Sequence, residues 1–553
     1  MVRWLMTRSC LALVLCCLAL RTTTAEDHAT SRLIDTPINA VLAAKQISPA
    51  PRAEHEELLR RIYLDILGRI PTRSEAEAYL NDQGDDKHHK LIDALLGHDE
   101  MATYWAAVFD EWLCGSALER DFGRDAFLLY LEDNLRRRRP WNEIARELIA
   151  PDVKVEQQRP AAYFLAIRLR GDNAEKLDNM TSAVATGLLG IQLQCAKCHD
   201  HPFVDEIRQD HYYGLASFFG RTQEARYNDF PLVREKAEGE VTFVTTRKED
   251  KKAKLLFLDG VEIAEPAPPV DKNAWYTKAG DGLPEIPFFS RRAALANHAI
   301  TADSPYFKRA MVNRLWKQLM GRGLVEPVDQ MHDANPASHP ALLDKLADEF
   351  ASHQFNLRRL LGAILHSDSY LRSSRWTSAG ERPSDTTYAV ALLRPLSPPQ
   401  LTTSVAVATG SFAQFQKRLE QEKDKRKLDA VTPAAARRLF ARERDVQEFA
   451  QRFRGASDTF DAGAGHVLFL SYHPLVIKQL QPTSGNLVER LVKSTNATSA
   501  ADDAFLSVLA RLPTDEERSQ FEQLRAESKL PAAQQCQEFV WALVCSAEFR
   551  FNH

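Results

Sequence analysis

Tyr63–Glu75 (YLDILGRIPTRSE) and Phe505–Glu517 (FLSVLARLPTDEE) share one form, although they lie near opposite ends of a 553-residue chain. In each, a helix-like run ends in Arg-apolar-Pro-Thr, and a glutamate follows the threonine by three residues. This reads as a helix stop followed at once by a capped start. Proline lacks the amide hydrogen that a continuing helix needs. The threonine hydroxyl accepts from the third helical amide, while the glutamate reaches back to the cap amide. A chain using this joint at both ends is built from short helices meeting at tight corners, and its two ends should build similar bundles. A second shared form, in Ala94–Met101, Ala363–Tyr370 and Ala542–Phe549, supports this, although the spacing is too irregular for a solenoid. Glycine is 23 of 553 residues, about 4% against an ordinary ~7%, which also favours helices over sandwiches or barrels.

The expected fold is mainly α: two helical domains joined by a short β-hairpin and Pro-rich connector. Helical periodicity covers His55–Leu67, Lys90–Leu96, Phe127–Leu135 and Trp141–Ile149. The first domain is expected over 30–220. Between 221 and 287 the pattern changes. Val241–Thr246 and Leu255–Leu258 are β-like runs joined by charged residues, and a cluster of prolines from Pro266 to Pro287 follows. Helices resume over 288–553. The run Arg136–Arg139 precedes Pro140, so it reads as cations at a helix C-terminus, not as a nucleic-acid patch. With 71 Lys+Arg against 75 Asp+Glu, the charge is too balanced for a nucleic-acid-coating protein.

Residues 1–25 read as a signal peptide. Arg3 and Arg8 charge its start, Ser9–Leu20 is an apolar run, and Thr23-Thr24-Ala25 offers a cleavage site. The run is short for a bilayer span, so no transmembrane anchor is expected after cleavage, and the mature protein should be periplasmic or extracellular. A lipoprotein through Cys16 or Cys17 is the alternative. Cleavage leaves Cys114, Cys195, Cys198, Cys536 and Cys545, too few for a disulfide-built scaffold.

Cys195-Ala-Lys-Cys198-His199 carries the chemistry, and Asp200-His201-Pro202-Phe203 follows it. In an exported chain, C-x-x-C-H reads first as an attachment site for haem c. The two thiols add across the porphyrin vinyl groups, and the adjacent imidazole gives the iron an axial nitrogen. Met180, His211, Met311, Met320 and Met331 are candidates for the opposite axial position. Two other readings compete. Cys195 and Cys198 could form a disulfide. Alternatively, they could hold zinc with His199 or His201; Asp205 and His211 enrich the segment in metal ligands. A second polar concentration comprises Arg309, Asn313, Arg314, Arg322, Asp329, His332, Asp333, Asn335, Ser338 and His339, around an expected helix Pro305–Leu319. Arg314 falls near the apolar face of that helix and would need an anion, with Asp329 and Asp333 at hand. A sugar or carboxylate site is the functional reading; a loop held by side-chain caps is the structural one, and the weightier.

Glu57–Thr72 (ELLRRIYLDILGRIPT) and Gly190–Phe203 (GIQLQCAKCHDHPF) resemble the N-terminal domain of the planctomycete-type cytochrome C family of exported proteins. Arg309–Pro340 and Trp541–His553 resemble its C-terminal partner domain of unknown function. The resemblance implies haem through Cys195, Cys198 and His199, and it brings no established enzymatic activity with it. The chain departs from the family pattern at Val204, which separates Phe203 from Asp205, at Ile207 where Trp is usual, and at Cys545 where Asn is usual. The expectation is therefore a c-type-cytochrome-like protein that exchanges electrons with a redox partner protein. The alternatives are a zinc-dependent extracytoplasmic hydrolase, with polysaccharide as a substrate, and a non-catalytic scaffold with a CxxC disulfide. No motif for a phosphate-binding loop, a serine nucleophile or a zinc protease occurs, so nothing marks the chain as an enzyme.

Overall fold

The computed structural model describes residues 31–115, 122–201, 204, 207–426, 430–452 and 474–553. The expected signal peptide, Phe203 and Asp205 lie outside these. The structure is mainly helical, and its sheets have two strands each. Among the described residues, no helix is long and apolar enough to cross a membrane.

Two compact units result, and neither is continuous in sequence. One comprises residues up to Gln46, Ala106–Ser367 and Thr386–Tyr388. The other comprises Ile47–Trp105, Asp368–Asp385 and Ala389–His553. Both copies of the repeated joint therefore belong to the second unit.

In the first unit, helix Asn173–Leu189 begins at Asp172, whose carboxylate accepts from the Ala174 and Glu175 amides in a capping box. Helix Pro305–Met320 starts with proline and ends at the left-handed Gly321. It buries Phe307, Met311, Leu315, Trp316 and Leu319, each worth roughly 1.5–3 kcal/mol when taken out of water. The arginine run behaves as its acidic neighbours dictate: Arg136 pairs with Glu132, Arg137 with Asp133, and Arg139 with Glu143 and Glu147.

The hairpin expected from 241–246 and 255–258 forms with a different partner strand. Thr242–Val244 pairs with the charged Asp250–Lys252. A turn with Lys248 at φ 64° closes it, where the Lys248 amide donates to the Thr245 carbonyl. Leu255 and Phe257 are buried, and their segment pairs with the chain just after it, through an antiparallel bridge between Leu256 and Glu262. Charge made 250–252 look like a loop, yet both faces of this short ribbon tolerate lysine at an edge. A second hairpin, Thr222–Tyr227 with Phe230–Glu235, was not expected. Its turn residues Asn228 and Asp229 both have positive φ, the signature of a two-residue turn.

In the second unit, one apolar core gathers Leu64, Ile70, Val405, Leu487, Leu491, Ala504, Phe505, Val508, Phe521, Val540 and Phe549. Helix His55–Ile66 matches its expected span to within a residue. Thr72 and Thr514 both form the expected capping boxes with Glu75 and Glu517.

Candidate functional site

The Cys195–His199 segment leaves helix Asn173–Leu189 through Gly190, which adopts the left-handed conformation at φ 69°. Glycine is favoured here. A Cβ would stand 2.1 Å from the Met331 methyl and 3.1 Å from Ala310 Cβ. The Gly190 carbonyl accepts from the Met331 amide at 3.1 Å, and Ile191 bridges to Gln330. Gln192 Nε2 donates to Asp329 Oδ2 at 3.0 Å. The two polar segments that sequence separates are thus stitched together, main chain to main chain, just before the cysteines.

A short 3₁₀ turn, Gln194–Lys197, then displays the motif. Leu193 and Ala196 are buried and anchor it, while Cys195 and Cys198 are exposed. Residues three apart eclipse on such a turn, so both thiols lie on its outer side. Both are unpaired. The turn is held from behind. The Lys197 carbonyl accepts from the Tyr213 hydroxyl at 3.2 Å, and the Lys197 ammonium pairs with Asp178, which also accepts from Tyr212. Burial, followed by the bond to Asp178, pushes the Tyr212 hydroxyl well above its ordinary pKa, so it stays a donor.

His199 is exposed, and its Nδ1 lies 2.8 Å from the Asp200 carbonyl oxygen. A carbonyl only accepts, so Nδ1 is the donor here, and in the neutral ring this leaves Nε2 as the acceptor that a metal needs. The Asp200 carboxylate accepts from the Gln209 amide at 2.8 Å, fixing the chain after the motif. The His201 ring centre lies 6.1 Å from that of His332. His211 is engaged elsewhere: its Nδ1 accepts from the Arg208 amide at the start of helix Gln209–Ser217. Asp205 lies outside the described residues, whereas its neighbours Val204 and Ile207 are buried. Among the described residues, no three His, Cys, Asp or Glu side chains come together as a metal-holding group.

Most of the second polar segment holds the loop in place. Asn313 brackets Val325, donating to its carbonyl at 2.8 Å and accepting from its amide at 3.0 Å. Arg309 pairs with Asp344. Asn335 Nδ2 donates to the Gln330 carbonyl, and Arg322 offers its own carbonyl to Tyr388. Arg314 departs from the expected ion pair and donates to the Thr186 carbonyl at 2.6 Å. Burial lowers its basicity, with Asp329 opposing that effect from beyond contact. The Thr186 carbonyl satisfies one guanidinium donor, while Nε is buried without a hydrogen-bond partner. His339 is buried, which lowers its basicity, and its Nδ1 meets Ser338 Oγ at 3.3 Å.

A cavity of about 530 Å³ opens beside this junction, lined by Ile191, Tyr306, Arg309, Met331, His332 and Asp333 among others. Of the five candidates for a second axial ligand, Met331 lines this cavity, whereas Met180, Met311 and Met320 are buried in helices. The pairing of His201 with His332 was not legible from sequence, because the link runs through main-chain bonds at Gly190 and Ile191.

Cys114, Cys536 and Cys545 are unpaired as well. Burial raises the Cys114 and Cys545 thiols to about 11, so both stay protonated and unreactive at neutral pH.

Residues 33–224 match the PSCyt2 family model, described as a protein of unknown function (DUF1549). Residues 291–525 match the PSD1 family model, likewise described as a protein of unknown function (DUF1553). No curated protein and no solved structure matches the chain. The two matches follow one another along the chain, PSCyt2 in its N-terminal part and PSD1 in its C-terminal part, and both families are described as of unknown function.

Proposed function

We propose that this is an exported, c-type-cytochrome-like protein that binds haem covalently through Cys195 and Cys198, takes His199 as axial ligand, and passes electrons to a partner protein. The observation that carries this reading is the display of two unpaired thiols on the outer side of one short turn, followed at once by an exposed imidazole whose Nδ1 is engaged by the Asp200 carbonyl. Haem attachment needs these three groups in a row on an accessible strip, and it does not need four converging ligands as zinc does. When bound, the haem would supply a one-electron iron couple. The chain's own part is to hold the strip rigid: Tyr213 and Gln209 grip the Lys197 carbonyl, and Asp200 fixes the His199 tautomer. The charged start and apolar run of residues 1–25 support export to the compartment where such attachment is completed.

The test is a visible spectrum, oxidised and dithionite-reduced, of protein exported by a host with intact haem-attachment machinery. A Soret band that sharpens on reduction and survives acid-acetone extraction, and that is lost in Cys195→Ser/Cys198→Ser, is expected. A colourless protein from that host overturns the reading, and metal analysis of the same sample would then decide between zinc and neither.

A further inference from the structure

The repeated joint is locked by the same three side chains in both copies. In the first, Arg69 binds Glu75 at 2.8 Å and Glu100 at 3.0 Å. In the second, Arg511 binds Glu517 at 2.8 Å and Glu548 at 2.6 Å. Glu100 and Glu548 hold the same place in the second shared form, and the residues before the arginines, Gly68 and Ala510, share a left-handed φ of 63° and 61°. The copies are structural equivalents, down to their backbone.

Their surroundings differ. Each clasp has two carboxylates for one guanidinium, which leaves a negative charge over. In the first copy Arg437, from helix Pro433–Phe440, supplies the missing cation: it donates to Glu100 at 3.3 Å and to the Gly68 carbonyl at 3.0 Å. Helix Pro398–Thr409 covers the same corner, and its Ser404 hydroxyl accepts from the Ile70 amide. Glu100 is 3% and Ile70 0% exposed. In the second copy nothing among the described residues takes these places. Glu548 is 31% exposed, and Leu512, the counterpart of Ile70, is 51% exposed. Arg60 lies near enough to feel Glu548, but it donates to the Val508 and Phe549 carbonyls. Burial, then Arg60, lowers His553 to about 4, so it is neutral at pH 7. A cavity of about 530 Å³ opens here, lined by Arg511, Leu512, Thr514 and Glu548. Glu54 and Glu56 line it too, against Arg375 and an Arg52 that pairs with Asp368.

We propose that this open face at Leu512 and Glu548 is a docking site for an arginine-presenting helix of a partner protein, received as the first copy receives helix Pro433–Phe440. Leu512 is the apolar anchor and Glu548 accepts the guanidinium, the kind of pairing that concentrates binding energy at interfaces. Glu548 stays 31% exposed and able to accept from a second guanidinium, and the first copy shows which cation fits.

The test uses the full chain and a fluorescent peptide of residues 430–444 (AVTPAAARRLFARER), whose arginine already fits the first copy. Fluorescence anisotropy should show saturable binding. Leu512→Lys in the protein, at a side chain exposed enough not to disturb folding, should weaken it at least about ten-fold. A peptide with Arg437→Ala should lose it by a similar factor, and Glu548→Gln should weaken it less. No binding up to ~1 mM, or binding indifferent to Leu512→Lys, overturns the proposal. Sedimentation showing a dimer that Leu512→Lys dissociates would also overturn it, because the occupant would then be a second copy of this chain.

Discussion

The Arg69 clasp and the Cys195–His199 turn are equally distinctive in sequence, and the fold uses them in opposite ways. The clasp turns its charges inward: Arg69 and Glu100 are almost fully buried, and each of their charges meets a counter-charge. The turn buries only Leu193 and Ala196 and holds two thiols and an imidazole out to solvent. Reactive groups set facing water contribute nothing to the stability of their own unit. Charges set inward are retained where a corner must be fixed, and removing one partner strands the other. The difference between a structural and a functional motif should therefore show in stability measurements before any ligand is known.

The largest effect is expected at Glu100. Glu100→Gln leaves Arg437 buried beside a neutral amide and should cost about 3–5 kcal/mol by denaturant unfolding. Glu548→Gln, at the exposed copy, should cost about 1 kcal/mol or less, because solvent already screens that pair. Equal costs at the two sites would break the comparison. The pH dependence sharpens it. Burial alone would raise the Glu100 carboxyl, but Arg69 and Arg437 outweigh that and bring it down to about 2. Its ordinary value is about 4.3. A depressed carboxylate stabilises the fold fully above the unfolded value, and that contribution is lost as pH falls through the folded one. The stability gap between wild type and Glu100→Gln should therefore be constant above pH ~5 and close towards pH ~2. A gap that widens on acidification would mean that Glu100 is not held as the anion.

These contrasts also explain what could be read in advance. The joints, the helix from His55 and the capping boxes were legible because proline, threonine and glutamate act locally, within one turn. The hairpin at 222–235 was missed although Asn228-Asp229 marks it, because its strands carry polar and charged residues such as Gln223, Glu224, Arg226 and Arg234 and show no apolar run like 241–246. Cys195, Cys198 and His199 were legible as a spacing. Their exposure was not, since it depends on which neighbours Leu193 and Ala196 find in the core. Arg314 illustrates the limit: periodicity placed it near the buried face, but only the fold shows that the Thr186 carbonyl replaces the expected anion.

An intermediate effect is expected at Gly190, where the two behaviours meet: a buried corner that aims an exposed motif. Gly190→Ala must hold a side chain at φ 69° and displace the Met331 methyl. The methyl is the flexible end of its side chain, so the clash is relieved by movement, and the residual backbone strain should cost about 1–3 kcal/mol. Met331 lines the cavity beside His332, so its displacement should shift the His332 imidazole resonances in NMR as well. Destabilisation without any shift at His332 would show that the corner holds the fold but does not shape the site.

The smallest effect on folding is expected where the proposed chemistry is densest. Cys195 and Cys198 are exposed, form no disulfide, and sit on a turn anchored by other residues. Cys195→Ser/Cys198→Ser exchanges exposed sulfur for exposed oxygen, so the apoprotein should unfold within about 0.5 kcal/mol of wild type. The same pair of substitutions should abolish any covalently held chromophore, because no other thiol lies on that strip: Cys114, Cys536 and Cys545 are held protonated or buried elsewhere. A loss of several kcal/mol in the apoprotein would place the cysteines with the Arg69 clasp as structural parts, a disulfide in the folded protein being the simplest cause. Near-neutral folding with complete loss of colour would place them where their exposure does, as groups held ready for something the chain alone does not contain.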